Sequence, residues 1–171
     1  MKVLVITADG FEDSELLCPV YRFKEEGFEV DIAAPEWGQV RGKKGYNVSA
    51  NLSFDELEPS IFDALYIPGG KAPAHLKHMP VVQEIVQAFD KAGKPIAAIC
   101  HGPLILAAAG VLAGRKVTCY LKVAEDLQSA GARYENSPVV VDGNLVTSRE
   151  PADIPYFMKE VIRIFRQSQR R

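Results

Sequence analysis

A cysteine that closes an apolar run, with glycine two residues further on, is an arrangement from which a thiol can act as a nucleophile. In Ile96-Ala97-Ala98-Ile99-Cys100-His101-Gly102-Pro103 the run reads as a strand that turns at once into a helix. Ala98 and Gly102 flank Cys100 at the two positions where a larger side chain would collide in so tight a turn. Pro103 suits the first helical turn, where its missing N–H costs nothing. The thiol of such an elbow faces the free N–H groups and positive end of the following helix, Leu104 to Ala109, which favour the thiolate, the nucleophilic form. Cys18 and Cys119 lack this setting. Cys18 lies among Leu16, Leu17 and Val20 on a helical stretch expected to pack on the sheet, where a buried apolar thiol is inert, and Cys119 ends a strand beside Tyr120. The sequence thus predicts a single low-pKa thiol, Cys100.

Other groups at the ends of apolar runs could serve that thiol. The segment Asp9-Gly10-Phe11-Glu12-Asp13-Ser14-Glu15 follows the first run. Asp13 and Glu15 suit the first turn of a helix. Glu12 either caps that helix or, held beside Cys100, enters a shared titration in which the protonated acid donates a hydrogen bond to the thiolate. Gly69-Gly70 either makes a turn or lets a backbone N–H approach a reacting carbonyl, forming an oxyanion hole with the N–H of His101. The His101 ring orients the loop or acts as a base, and a base needs a carboxylate partner that no local residue supplies. Glu15 and Tyr120 are further candidates for the substrate site. His75 and His78 stand at i,i+3, but without another carboxylate or thiol at ligand spacing no metal is expected.

The elements that must position these residues follow from periodicity. Short β-branched runs alternate with amphipathic helical stretches, the pattern of a parallel α/β sheet covered on both faces. Strands are predicted at Lys2–Thr7, Val30–Ala34, Ala64–Pro68, Pro95–Ile99 and Lys116–Cys119, and helices at Ser14–Glu26, Val81–Ala92, Leu104–Ala109, Val123–Ala130 and Ile154–Arg166. Every helix but the last stops before a glycine, the preferred left-handed residue after a helix. Val82, Ile85, Val86 and Phe89 form one buried helical face. Gly42-Lys43-Lys44-Gly45 reads as a hairpin tip between Val40 and Val48, and Asp142-Gly143-Asn144 as a second between Val139–Val141 and Leu145–Thr147. In such sheets working groups collect at the carboxyl ends of the strands.

Composition bounds the setting. The chain has 171 residues, 47% of them hydrophobic, which suits a single domain over residues 1–171 with a substantial core. A net charge of −2 offers no footprint for nucleic acid or an anionic membrane. The basic end, Arg163, Arg166, Arg170 and Arg171, reads as cations at a helix C-terminus. Three cysteines, far apart and without a C-x-x-C, argue against a disulfide framework and fit a reducing cytoplasm. Val3-Leu4-Val5-Ile6 is too short for a signal segment, and no later run is long enough to span a bilayer.

Ala98-Ile99-Cys100-His101-Gly102-Pro103 closely resembles the ThiJ/PfpI family, as do Phe11-Glu12-Asp13-x-Glu15, Pro68-Gly69-Gly70, Gly110-Val111-Leu112-x-Gly114-Arg115-Lys116 and Thr147-Ser148-Arg149-x-Pro151-x-Asp153. The resemblance implies a flavodoxin-like, doubly wound domain related to class I glutamine amidotransferase domains, which forms homodimers that can pair into hexamers. It implies Cys100 as nucleophile, Glu12 protonated against it, His101 assisting, and an oxyanion hole from backbone at Gly70 and His101. One position departs. In the archaeal intracellular proteases of the family an acid after the Gly-Gly turn reaches a neighbouring subunit's histidine, and here that position is Ala74. Alanine cannot orient an imidazole. The expected function is therefore cofactor-free chemistry on reactive carbonyls, as in glyoxalases and deglycases of the family, ahead of cysteine peptidase and of a redox-sensing or chaperone-like stress protein that uses Cys100.

Overall fold

A computed structural model gives the fold of residues 1–170. In chain order the elements are β1 (Lys2–Ile6), α1 (Asp13–Glu25), β2 (Glu29–Ala34), β3 (Gly38–Arg41), β4 (Asn47–Ala50), β5 (Leu52–Ser53), β6 (Ala64–Ile67), α2 (Ala72–Leu76), α3 (Pro80–Lys91), β7 (Ile96–Ile99), α4 (Pro103–Ala108), β8 (Lys116–Val117), α5 (Ala124–Ser129), β9 (Arg133–Tyr134), β10 (Val139–Asp142), β11 (Leu145–Ser148) and α6 (Ile154–Ser168). The central sheet has seven strands in the order β10-β11-β7-β6-β1-β2-β5, parallel throughout except for β10.

Burial on both faces explains the near-continuous apolar character of β1, β6 and β7. On one face α1 and α6 bring Leu16, Val20, Phe23, Phe157, Val161 and Phe165 onto the sheet, with the Phe23 and Phe165 rings stacked at 5.5 Å. On the other, α3, α4 and α5 contribute the expected stripe Val82, Ile85, Val86 and Phe89 together with Leu104, Ile105 and Leu127. The glycines expected after α1, α3, α4 and α5, namely Gly27, Gly93, Gly110 and Gly131, all have positive φ.

One strand is corrected. Lys116–Cys119 is not a strand of the main sheet: only Lys116–Val117 is extended, pairing with β9 in a separate ribbon. Thr118 gives its N–H to the side chain of Thr147 and Tyr120 gives its own to the Cys100 carbonyl, so this segment turns toward the elbow. The sheet position beside β7 falls to β11, the return strand of the hairpin expected at Asp142–Asn144. The short helix α2 is absent from the sequence reading because five residues carry no period. At the basic end, Arg166 and Glu26 pair α6 with α1, Arg163 pairs with Glu160, and Arg171 lies outside the described residues.

The chain leaves β1 for β2 on one side and returns through β6 on the other, so the loops after β1 and β6 diverge at a topological switch point and leave a crevice. A single bridge, Phe11 with Gly70, stitches those two loops together. Gly70 lies so close to the Gly10 and Phe11 backbone that a Cβ there would overlap them. The loop after β7 enters the same crevice at Cys100, which has φ +63°, the only positive φ of a non-glycine residue among those described. Gly102 makes that turn possible, since a Cβ there would sit 2.7 Å from the Ile67 carbonyl oxygen and 2.9 Å from that of Ile99. Gly102→Ala should therefore destabilise the protein by about 1–3 kcal/mol through steric strain at the elbow, read as a lower midpoint in urea with an unchanged slope. An unshifted midpoint would show that the elbow does not need the glycine.

Candidate active site

Cys100 stands at the floor of the crevice with 9% of its surface exposed. Its Sγ lies 3.2 Å from Nδ1 of His101, so the imidazole is within reach of the thiol although it belongs to the next residue. The backbone N–H groups of His101 and Gly70 act on the sulfur to lower its pKa. The two amides expected to form an oxyanion hole are therefore together, aimed at the sulfur. Tyr120 tilts its ring against His101 at 5.0 Å. Burial and the nearby charge of Lys43 hold the His101 imidazole below its usual range, favouring the neutral ring.

The acid beside the thiol is Glu15, not Glu12. α1 begins at Asp13, and a turn of about 3.6 residues carries Glu15 and Leu16 to the inner face. Glu15 is fully buried. Its Oε2 accepts the Gly69 N–H at 2.8 Å, and the Tyr66 hydroxyl donates to its carbonyl oxygen at 2.6 Å, pinning this turn to the sheet. Oε1 is buried without a hydrogen-bond partner, and the Cys100 thiol beside it is close enough for the two acids to shift each other's ionisation. Burial pushes Glu15 up to about 7. Burial and the Glu15 charge push Cys100 up to about 12, which corrects the expectation of a low-pKa thiol. Two acids that cannot both ionise in a dry crevice share one proton.

Glu12 neither caps α1 nor touches the thiol. Its carboxylate is buried against the β3–β4 tip, with Oε2 2.5 Å from Lys43 Nζ, Oε1 3.5 Å from Lys44 Nζ, and the Ser14 hydroxyl donating to Oε1. Burial works against ionisation there, but the Lys43 hydrogen bond and charge hold Glu12 below its ordinary value. Asp13, expected only to suit the helix start, accepts the N–H groups of Lys44 and Tyr46 and clasps the same tip. Lys43 is a site residue that sequence reasoning misses, because only the tertiary fold brings a hairpin 57 positions away in sequence over Cys100. Cys18, expected buried, is exposed, because Leu16, Val20 and Phe23 occupy the opposite face of α1. Cys119 is buried and pushed up to about 12 by burial and by Asp126.

Above the thiol opens a cavity of about 580 Å³, lined by Glu12, Glu15, Lys43, Gly70, Lys71, Ala74, His75, Cys100, His101, Tyr120, Glu150 and Pro151. It thus gathers every side chain expected at the site, with Ala74 on its wall. A larger cavity of about 790 Å³ lies at the opposite end, but its cations are already engaged: Lys94 on three backbone carbonyls, Arg115 on Asp142 and Asn144.

A thiol on a strand-to-helix elbow, at the switch point of a doubly wound sheet and beside a buried acid, defines a class of α/β proteins. Comparison narrows it: the chain belongs to the DJ-1/PfpI family, whose model matches residues 1–164. It is similar to Deglycase TK1284 of Thermococcus kodakarensis, 48% identical over 97% of this chain and 100% of the relative. Protein/nucleic acid deglycase 2 of Escherichia coli is 42% identical over 95% of this chain and 96% of its own. The crystal structure of a ThiJ/PfpI domain protein from Brachyspira murdochii superposes with a TM-score of 0.92 at 26% identity, covering 97% of this chain and 96% of that one.

Glu15→Gln separates the roles of the pair. Without the carboxylate the thiol should ionise more readily, so Cys100 should be alkylated faster at neutral pH while turnover falls. Because Glu15 rises from 4.5 to about 7 on folding, its protonated form is favoured in the fold. That stability is present below pH about 4.5 and lost as pH rises to about 7. Glu15→Gln does not titrate, so its stability relative to the wild type should improve by about 3 kcal/mol between those limits. Denaturation at pH 4 and pH 8 measures the difference, and a constant difference would contradict a buried, proton-sharing Glu15.

Proposed function

We propose that this protein is a cofactor-free, cysteine-dependent enzyme acting on reactive carbonyls, a deglycase with glyoxalase-type chemistry. The observation that carries this reading is the pairing of Cys100 with Glu15, a nucleophile whose adjacent acid is held at about 7, where a proton acceptor works best at neutral pH. As the sulfur adds to the aldehyde carbon of a dicarbonyl, the thiol proton passes to Glu15 and then to the new alkoxide, and a hemithioacetal forms. The developing alkoxide lies beside the sulfur, near the N–H groups of Gly70 and His101. Neutral His101, with Nδ1 3.2 Å from the sulfur, takes the proton from the former aldehyde carbon to give an enediol. Returning that proton to the neighbouring carbon leaves a thioester. Water hydrolyses the ester and restores the thiol, so atoms and charge balance without a cofactor. A glycation adduct enters the same sequence once its hemiaminal opens to the aldehyde. Tyr120 and Glu15 border the substrate.

The Ala74 methyl group on the cavity wall supports this reading over peptide hydrolysis. An amide is less electrophilic than a dicarbonyl, and its cleavage requires an oriented imidazolium to protonate the leaving amine. The same reading takes residues 1–171 as one domain, and the protein as a cytoplasmic homodimer able to pair into hexamers. Among the described residues no helix is long and apolar enough to cross a membrane.

Parallel assays test the reading. Wild type should convert methylglyoxal to lactate and release early adducts from a glycated peptide, and Cys100→Ser should lose both by more than about 100-fold. Casein should be cleaved poorly. Ala74→Glu should raise amide hydrolysis and barely change methylglyoxal turnover. Robust Cys100-dependent proteolysis without methylglyoxal turnover would reverse the assignment, and protection of unfolded clients that survives in Cys100→Ser would favour a chaperone.

A further inference from the structure

The carbonyl chemistry leaves one buried carboxylate without a task. Glu12 is 2% exposed and pairs with Lys43 at 2.5 Å, and both line the cavity that holds Cys100. Isolated helix capping does not explain it, since Glu12 makes no side-chain cap. We propose that Lys43 is a positioning residue that sets the ionisation of the Cys100–Glu15 pair from the β3–β4 tip, and that Glu12 is the counterion limiting its effect. The proposal rests on the reading of Cys100 as the nucleophile.

The tip is fixed where such a charge can act. Lys43 gives its N–H to the Phe11 carbonyl at 2.8 Å, and Gly10 gives its own to the Arg41 carbonyl at 2.8 Å. Both Asp13 oxygens hold the flanking N–H groups of Lys44 and Tyr46. The tip is thereby bonded to the loop between β1 and α1, which carries Glu12 and leads into Glu15. The two members of the ion pair pull the buried acid in opposite directions: the Glu12 charge opposes the Glu15 carboxylate, and the Lys43 charge favours it. Lys43 also interacts favourably with an ionised Cys100. In a crevice of low polarity a neutral pair of charges cancels to first order, whereas removing either member leaves a full charge beside the thiol.

The remaining charged and titratable groups form a constant background. Lys71 and His75 face the cavity from the segment after β6, and His101 from the elbow. Tyr120 and Glu150 close its far side, and Lys44 stands behind Glu12. Apart from Lys44, which also pairs with Glu12, none of them changes when only the Lys43–Glu12 pair is altered. The pair therefore predicts shifts of opposite sign from two substitutions that each break the same contact, a result that simple loss of structure does not produce.

The test is the pH dependence of Cys100 alkylation by iodoacetamide, followed by mass mapping, with exposed Cys18 as the internal reference. Lys43→Met should move the Cys100 profile to higher pH by about half a unit or more, because a thiolate then forms beside a Glu12 carboxylate balanced only by the more distant and more exposed Lys44. Glu12→Gln should move it to lower pH by a similar amount, because Lys43 is then uncompensated. The double variant Lys43→Met/Glu12→Gln, and Lys43→Arg, should stay close to wild type, while Cys18 stays in place throughout. An unmoved profile in either single variant, shifts in the same direction, or a double variant displaced as far as Lys43→Met overturns the proposal. Should Lys43→Met fail to fold, the Glu12→Gln and double-variant profiles decide the matter on the same criteria. Alkylation needs no substrate, so the outcome is separate from the carbonyl activity.

Discussion

One proton between two buried acids governs this site. Cys100 and Glu15 sit where water is scarce, and ionising both would place two negative charges in contact in a medium that screens them poorly. The pair therefore keeps a proton that either can hold. A resting thiol pushed up to about 12 by burial and by the Glu15 charge is not a defect in a nucleophile of this kind. Once the proton moves to Glu15, the repulsion that raised the thiol disappears, and the backbone N–H groups of His101 and Gly70 still favour the thiolate. On the carbonyl chemistry proposed above, the thiolate is made by a local proton shift and not by release of a proton to solvent.

Everything near the pair follows from the need to hold it in place. The switch point leaves a crevice where the loops after β1, β6 and β7 converge, and each delivers one part: Glu15 from the first, the Gly70 amide from the second, Cys100 and His101 from the third. A left-handed cysteine costs roughly 1–3 kcal/mol of backbone strain, which the close fit of Gly102 beneath the elbow and the buried strands β6 and β7 offset. The Phe11–Gly70 bridge removes the freedom of two loops to slide apart, so the carboxyl and the amide reach the same sulfur.

Much of this is legible in the sequence because it depends on local rules. Alternating apolar runs and helical stripes set the strand and helix order, glycines mark helix ends, and Ala98 and Gly102 around Cys100 mark the elbow. The choice between Glu12 and Glu15 depends on where α1 begins. One residue in the start of a helix rotates every later side chain by about 100°, and no local signal sets that phase. It is decided by the Tyr66 hydroxyl on the Glu15 carbonyl and by Leu16 seeking the core, contacts between segments some fifty residues apart. Lys116–Cys119 fails as a central strand for a similar reason. Its β-branched pattern suits a strand, but the place beside β7 is filled by β11. Lys43 is readable as a turn residue, and its charge at the thiol is not, because hairpin tips carry no record of what they fold against.

Glu12 and Glu15 show how the fold separates two acids that spacing alone cannot tell apart. Both stand where β1 gives way to α1, so either could meet the thiol as far as the sequence says. The fold resolves the competition by giving Glu12 its own cation. Lys43 keeps Glu12 ionised despite burial, while Glu15, with one oxygen on the Gly69 amide and the other without a partner, is pushed up to about 7. Two glutamates about one helical turn apart thus acquire opposite states, one a fixed charge and one a proton carrier. Separating them in this way requires the β3–β4 tip to be present, so a hairpin far from Cys100 in sequence is part of what makes its neighbour a proton acceptor.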